Sequence, residues 1–137
     1  MYQPVIDYFY MVEVQLTSVG VNAVIPFKDI PQLRKAMKDV KSIGITAYTA
    51  NQLATSPLGL TVIAAANVTG IVVTFVTDLS EEIYRMPLND LVSANNSGLI
   101  RIFKEKKINF PKSYITILNA GTLAVNQSVP FGIIYRP

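Results

Sequence analysis

The sequence predicts an all-β domain, a sandwich or a barrel, and three observations support this. Short apolar runs rich in Val, Ile and Tyr follow one another along most of the chain, as is typical of strands. Gly, Pro and Asn between the runs supply the backbone angles that tight turns need. The chain has 137 residues, 50% of them hydrophobic, so residues 1–137 can bury one core as a single domain. About eight to ten strands at this spacing indicate a sandwich or a barrel.

The first predicted strand is "YMVEVQL", in which every second residue is apolar. Tyr10, Val12, Val14 and Leu16 share one face, which is the period of a half-buried strand. The segment Asn67-Val68-Thr69-Gly70 predicts a hairpin connection between two later strands. The remaining predicted strands are "VNAVIPF", "SIGITAYT", "LTVIAAA", "IVVTFVT", "EIYRMPL", "LIRIF", "SYITIL" and "FGIIY".

One segment, "DIPQLRKAMKDV", departs from the strand pattern and predicts a short helix near residues 30–39. Asp29 can cap the start of the helix, and Pro31 is tolerated in the first turn because its missing N–H is not needed there. The apolar residues at helical spacing are Leu33, Ala36, Met37 and Val40.

The last predicted strand, "FGIIY", ends almost at the end of the chain. Phe131, Ile133 and Tyr135 lie on one face, and the residues between them are also apolar or small. Both faces of this strand are therefore expected to be covered. Pro130 precedes it, at a first strand position where a missing backbone donor is tolerated.

Composition argues against an enzyme. The chain contains no His and no Cys, so the commonest general base and the usual zinc ligands are missing. We expect no catalytic activity, no cofactor, no metal site and no small-molecule substrate. Only 15% of the residues are charged and the net charge is +3. The low share of charged residues indicates that something covers part of the surface.

The richest basic cluster, "FKEKKINFPK", contains Lys104, Lys106, Lys107 and Lys112. These lysines can contact the phosphates of nucleic acid or of lipid headgroups. A solvated turn whose lysines keep a sheet edge from pairing explains the same cluster, and this second interpretation is favoured.

Aromatic residues crowd the beginning of the chain, and Tyr8 and Tyr10 are the candidate interaction residues among them. Such rings can stack on sugars or bases. They can equally fill the core or anchor a protein interface. No Trp is present, which weakens a carbohydrate-binding interpretation.

A membrane helix has to be considered because no charged residue occurs between Lys41 and Asp78. Within this segment, Leu58–Val76 has about the length that spans a bilayer as a helix. Asn67 and two glycines interrupt the stretch, and β-branched residues crowd its second half. Two buried strands are therefore the favoured interpretation.

Three stretches in the second half resemble a known family. They are "TGIVVTFVTDLSEEIYRMPL", "INFPKSYITILNAG" and "NQSVPFGIIYRP". Together they resemble the closing strands of small single jelly rolls in the vertex (penton) and minor capsid proteins of tailless icosahedral bacteriophages. The resemblance covers roughly Gly70 to Pro137. It implies two packed four-stranded sheets with Greek-key connections and a final strand inside a sheet.

The resemblance also implies a function. It implies a structural virion protein, made in the host cytoplasm, that forms a symmetric homo-oligomer such as a pentamer and contacts the major capsid protein. The basic turn would then meet lipid, nucleic acid or solvent. The alternatives are a non-enzymatic sandwich that binds a carbohydrate or a host surface, and a membrane-associated virion protein that uses Leu58–Val76.

Overall fold

The structure is a computed structural model that describes residues 8–28, 42–76, 82–92, 101–104 and 108–136. These residues form two four-stranded antiparallel sheets. The strands are Tyr8–Gln15 (β1), Val24–Pro26 (β2), Ser42–Ala47 (β3), Ile71–Val76 (β4), Glu82–Pro87 (β5), Arg101–Lys104 (β6), Tyr114–Ile117 (β7) and Ser128–Arg136 (β8). Short 3₁₀ helices cover Ala65–Gly70, Leu88–Leu91 and Phe110–Lys112.

The order of the strands defines the architecture. The first sheet has the order β1-β8-β3-β6 and the second the order β2-β7-β4-β5. Only β4 and β5 are consecutive in the chain and also neighbours in a sheet; every other connection passes from one sheet to the other. Two four-stranded sheets linked in this Greek-key manner constitute a jelly roll. The predicted fold class, an all-β sandwich of jelly-roll type, is confirmed.

The core lies between the sheets and contains a cluster of four phenylalanine rings. The ring of Phe27, which follows β2, lies 5.0 Å from that of Phe131 in β8, measured between ring centroids. Phe27 also contacts Phe75 of β4 and Phe110, with centroid distances of 6.1 and 5.7 Å. Since Phe131 belongs to the first sheet and Phe75 to the second, this cluster joins the two sheets.

The C-terminal strand β8 is an inner strand, as expected. It pairs with β1 on one side and with β3 on the other. The strand begins at Ser128 rather than at Pro130, which corrects the predicted start. Pro130 is tolerated because β3 pairs with β8 only as far as Ala47↔Phe131. Beyond that pair, the carbonyl of Pro130 accepts a hydrogen bond from the Tyr48 N–H at 3.1 Å. This bond does not use the backbone N–H that proline lacks.

The connection between β3 and β4 differs from the prediction. The predicted strand "LTVIAAA" reduces to isolated bridges at Thr61 and Val62, and Ala65–Gly70 forms a 3₁₀ helix instead of a hairpin turn. The reason is tertiary, because the buried amide of Asn67 bonds to Thr122, whose N–H donates to Asn67 Oδ1 at 3.2 Å. Across the described residues, no helix is both long and apolar enough to cross a membrane.

Two sequence predictions lie outside the described residues. The helix predicted near residues 30–39 belongs to residues 29–41, and Lys106 and Lys107 belong to residues 105–107. Both remain predictions.

Candidate interaction surface

Strand β1 places its side chains alternately on the core and on the outside of the first sheet. Val12 and Val14 are buried in the core, and Tyr10 packs against it. Phe9, which precedes Tyr10 in the strand, is 55% exposed. Tyr8 begins β1, and its side chain is not among those described. Among the described side chains of the N-terminal cluster, the exposed aromatic one is thus Phe9, which the sequence alone did not single out.

Gly132 of β8 lies on this outer side, close to the side chains of Phe9 and Tyr48. A methyl group at Gly132 would lie 2.7 Å from the Tyr48 hydroxyl oxygen and 3.0 Å from the Phe9 ring, so a larger residue there would displace these two rings. Burial raises the pKa of the Tyr48 hydroxyl above its usual value, and the group stays protonated at neutral pH. We call the residues around Gly132 on this side the first outer face: Phe9, Met11, Thr46, Tyr48, Gly132 and Ile134.

Glu13 shares the outer side of β1 with this face, but it is only 9% exposed. One carboxylate oxygen accepts a hydrogen bond from the Leu58 N–H at 2.9 Å. The other accepts from the Ser128 hydroxyl at 2.6 Å. Glu13 therefore links the β3–β4 connection to the first sheet. Both of its carboxylate oxygens accept hydrogen bonds within the chain, so they are not offered to a ligand.

Replacing Glu13 by Ala is expected to destabilise the fold by about 1–3 kcal/mol, because it leaves the Leu58 N–H and the Ser128 hydroxyl without their acceptor. Glu13→Gln is the matched control. Its carbonyl can accept from Leu58 and its amide can donate to Ser128, so its loss should be clearly smaller. Urea unfolding of both variants measures the difference, and equal losses would contradict the tether.

The second sheet also has an apolar outer side. Val24 of β2 is 57% exposed, and Leu118, just past the end of β7, is 46% exposed. The hydroxyl of Thr74 lies buried on this side of β4, without a hydrogen-bond partner among the described residues, and solvent does not reach it. We call the group on this side the second outer face: Val24, Pro26, Val72, Arg85, Pro87, Tyr114, Thr116 and Leu118.

The described side chains on the outer sides of the two sheets include few charged groups. Among the side chains that the structure describes on the outer sides of the sheets, the charged ones are Glu13, which is tied inside the chain, and Arg85. Exposed apolar side chains over uncharged sheet faces are typical of surfaces that other protein covers.

The structure places two of the four predicted lysines. Lys104 is the last residue of β6. Lys112 is exposed at the end of the 3₁₀ helix Phe110–Lys112, where its N–H donates to the Asn109 side chain at 3.2 Å. Lys112 thus belongs to a capped turn that leads into β7, and no basic groove is formed by the described residues around it.

The described part of the chain also contains no candidate metal site. No group of three or more His, Cys, Asp or Glu residues there could hold a metal ion. Comparisons of the chain with protein-family models, with curated proteins and with solved structures found no match.

Proposed function

We propose that this chain is a non-enzymatic structural protein of a virion, a capsid vertex or minor capsid subunit of a tailless icosahedral bacteriophage. It assembles into a symmetric homo-oligomer, a pentamer at a vertex, and contacts the major capsid protein. The jelly-roll strand order supports the proposal, because this fold occurs in viral capsid proteins. Because the same fold also serves other functions, the proposal depends on which side chains the surface exposes.

The observation that carries the proposal is the set of exposed apolar side chains among the described residues on the outer sides of the two sheets. A monomer would leave Val24, Leu118 and Phe9 in water. Side-by-side subunits would cover such side chains, and a stable contact of this kind buries on the order of 1,000 Å² or more. Lipid or nucleic acid would meet the basic turn around Lys112, which leads into β7.

The test is the mass of the purified chain in solution. We expect a ring of about five copies by mass photometry and light scattering. The double variant Val24→Asp and Leu118→Asp should shift the population toward monomers, because each carboxylate would lose its water inside the contact. Val125→Asp is the matched control, since Val125 is an exposed valine on the loop after β7. A chain that stays monomeric at all accessible concentrations would refute the proposed function.

A second candidate function, a ligand- or receptor-binding sandwich, is favoured by one observation. Phe9 and Tyr48 lie on either side of Gly132, and paired rings on an open face can stack on a sugar. A monomer that binds a glycan array through these rings, and loses binding in Phe9→Ala, would favour this alternative over assembly.

A further inference from the structure

The two sheets have four edge strands, and three of them carry features that hinder pairing with another strand. Strand β2 has three residues and contains Pro26. Strand β5 contains Arg85 and Pro87, and its pairing with β4 shifts register. Strand β6 has four residues, with Arg101 and Lys104 at its ends. Short length, proline, irregular register and positive charge all protect sheet edges.

The fourth edge strand, β1, has none of these features. It has eight residues and contains no Pro, Lys or Arg, and it pairs with β8 over its full length without a register shift. Its one charged side chain, Glu13, is held by Leu58 and Ser128. Long, regular and apolar edges of this kind are sites of strand pairing.

The direction of the backbone groups in β1 follows from its hydrogen bonds. The Leu16 N–H, just past β1, donates toward β8, to the Gln127 carbonyl at 2.9 Å. Because successive residues of a strand alternate in direction, the N–H and C=O groups of Phe9, Met11, Glu13 and Gln15 point away from β8. No described residue forms a backbone hydrogen bond with this side of β1.

We propose that β1 pairs edge to edge with β1 of a second copy, antiparallel about a two-fold axis, so that the two first sheets join. The inference deepens the proposed function and rests on it, because it names one contact through which copies associate. A second copy is the fitting partner because the other three edges of the chain hinder pairing, whereas an antiparallel edge is complementary to itself.

Charge excludes one register of this pairing. Pairing that sets Glu13 opposite its own copy brings two carboxylates together, which is unfavourable. Pairing that sets Met11 opposite the partner's Met11 separates them and places Phe9 beside the partner's β1. In this register the two Met11 residues form a hydrogen-bonded pair, with Cα atoms about 5.5 Å apart.

This contact is isologous and closes after two copies, whereas a ring of about five copies needs a head-to-tail contact. The two contacts are therefore separate. The β1 edge lies on the first sheet, and the variants that test the ring lie on the second outer face.

The first experiment compares Met11→Lys with Thr17→Lys, an equal change of charge at an exposed residue just past β1. Sedimentation at several concentrations measures the dissociation constant of the two-fold contact. Met11→Lys should raise it at least about tenfold, because two lysines would face each other across the axis. Thr17→Lys should leave it unchanged. Circular dichroism checks that both variants are folded.

The second experiment uses the absence of cysteine from the chain. Met11→Cys should form a disulfide-linked dimer under mild oxidation, because the expected Cα separation fits a disulfide. Val125→Cys, an exposed loop position, should not. A ring that persists without the Met11→Cys cross-link and without an effect of Met11→Lys would overturn the β1 contact and leave the proposed function standing. A cross-linked dimer that never forms a ring would support the β1 contact and overturn the proposed function.

Discussion

Deleting Phe131 to Tyr135 is expected to leave the chain unfolded. Strand β8 lies between β1 and β3, so its removal separates β1 from the only strand that pairs with it among the described residues. Phe131 and Ile133 are completely buried, and burying each such side chain is worth about 1.5–3 kcal/mol. Together with the lost backbone pairing, this approaches the whole stability of a typical domain, about 5–15 kcal/mol.

Circular dichroism and the dispersion of amide signals in nuclear magnetic resonance spectra measure this outcome. Ile134→Ala is the control in the same strand, because Ile134 lies half-buried on the outer side of β8 and the variant should stay folded. A soluble deletion variant with a native strand signal would show that β8 is dispensable, contrary to the topology.

Phe131→Ala is expected to cost about 3–5 kcal/mol of the free energy of unfolding, the range for truncating a buried Phe. The Phe131 ring packs on Phe27, which in turn contacts Phe75 and Phe110. The cavity would therefore open at the point where the two sheets meet. Urea unfolding measures the loss.

Phe9→Ala is the matched control for Phe131→Ala. It removes the same side chain from the same sheet, but Phe9 is 55% exposed, so the monomer should lose no more than about 1 kcal/mol. Similar losses in the two variants would mean that the phenylalanine cluster does not hold the sheets together.

The core-facing positions of the strands could be predicted from the sequence. The alternation in "YMVEVQL" correctly placed Val12 and Val14 in the core, because a strand directs successive side chains to opposite faces. The apolar character of both faces of "FGIIY" indicated a strand covered on both sides. The core face and Gly132 are buried, but Ile134 on the outer side is only half-buried.

The interaction surface was harder to predict. The candidate interaction residue Tyr10 packs against the core, as its alternation with Val12 predicts, and the neighbouring Phe9 is the exposed ring. Tyr48 and Gly132 are far apart in the chain and meet across neighbouring strands. Their sequence neighbourhoods contain no signal for this contact.

The sequence by itself determined the strand-rich architecture and the place of the last strand, because both follow from local periodicity and from the burial of apolar side chains. The tertiary structure alone decided three features: the jelly-roll order of the strands, the tether from Glu13 to Leu58 and Ser128, and the 3₁₀ helix Ala65–Gly70. The physical reason is common to all three. Each depends on contacts between residues distant in the chain, whose hydrogen bonds and close approaches override local propensity.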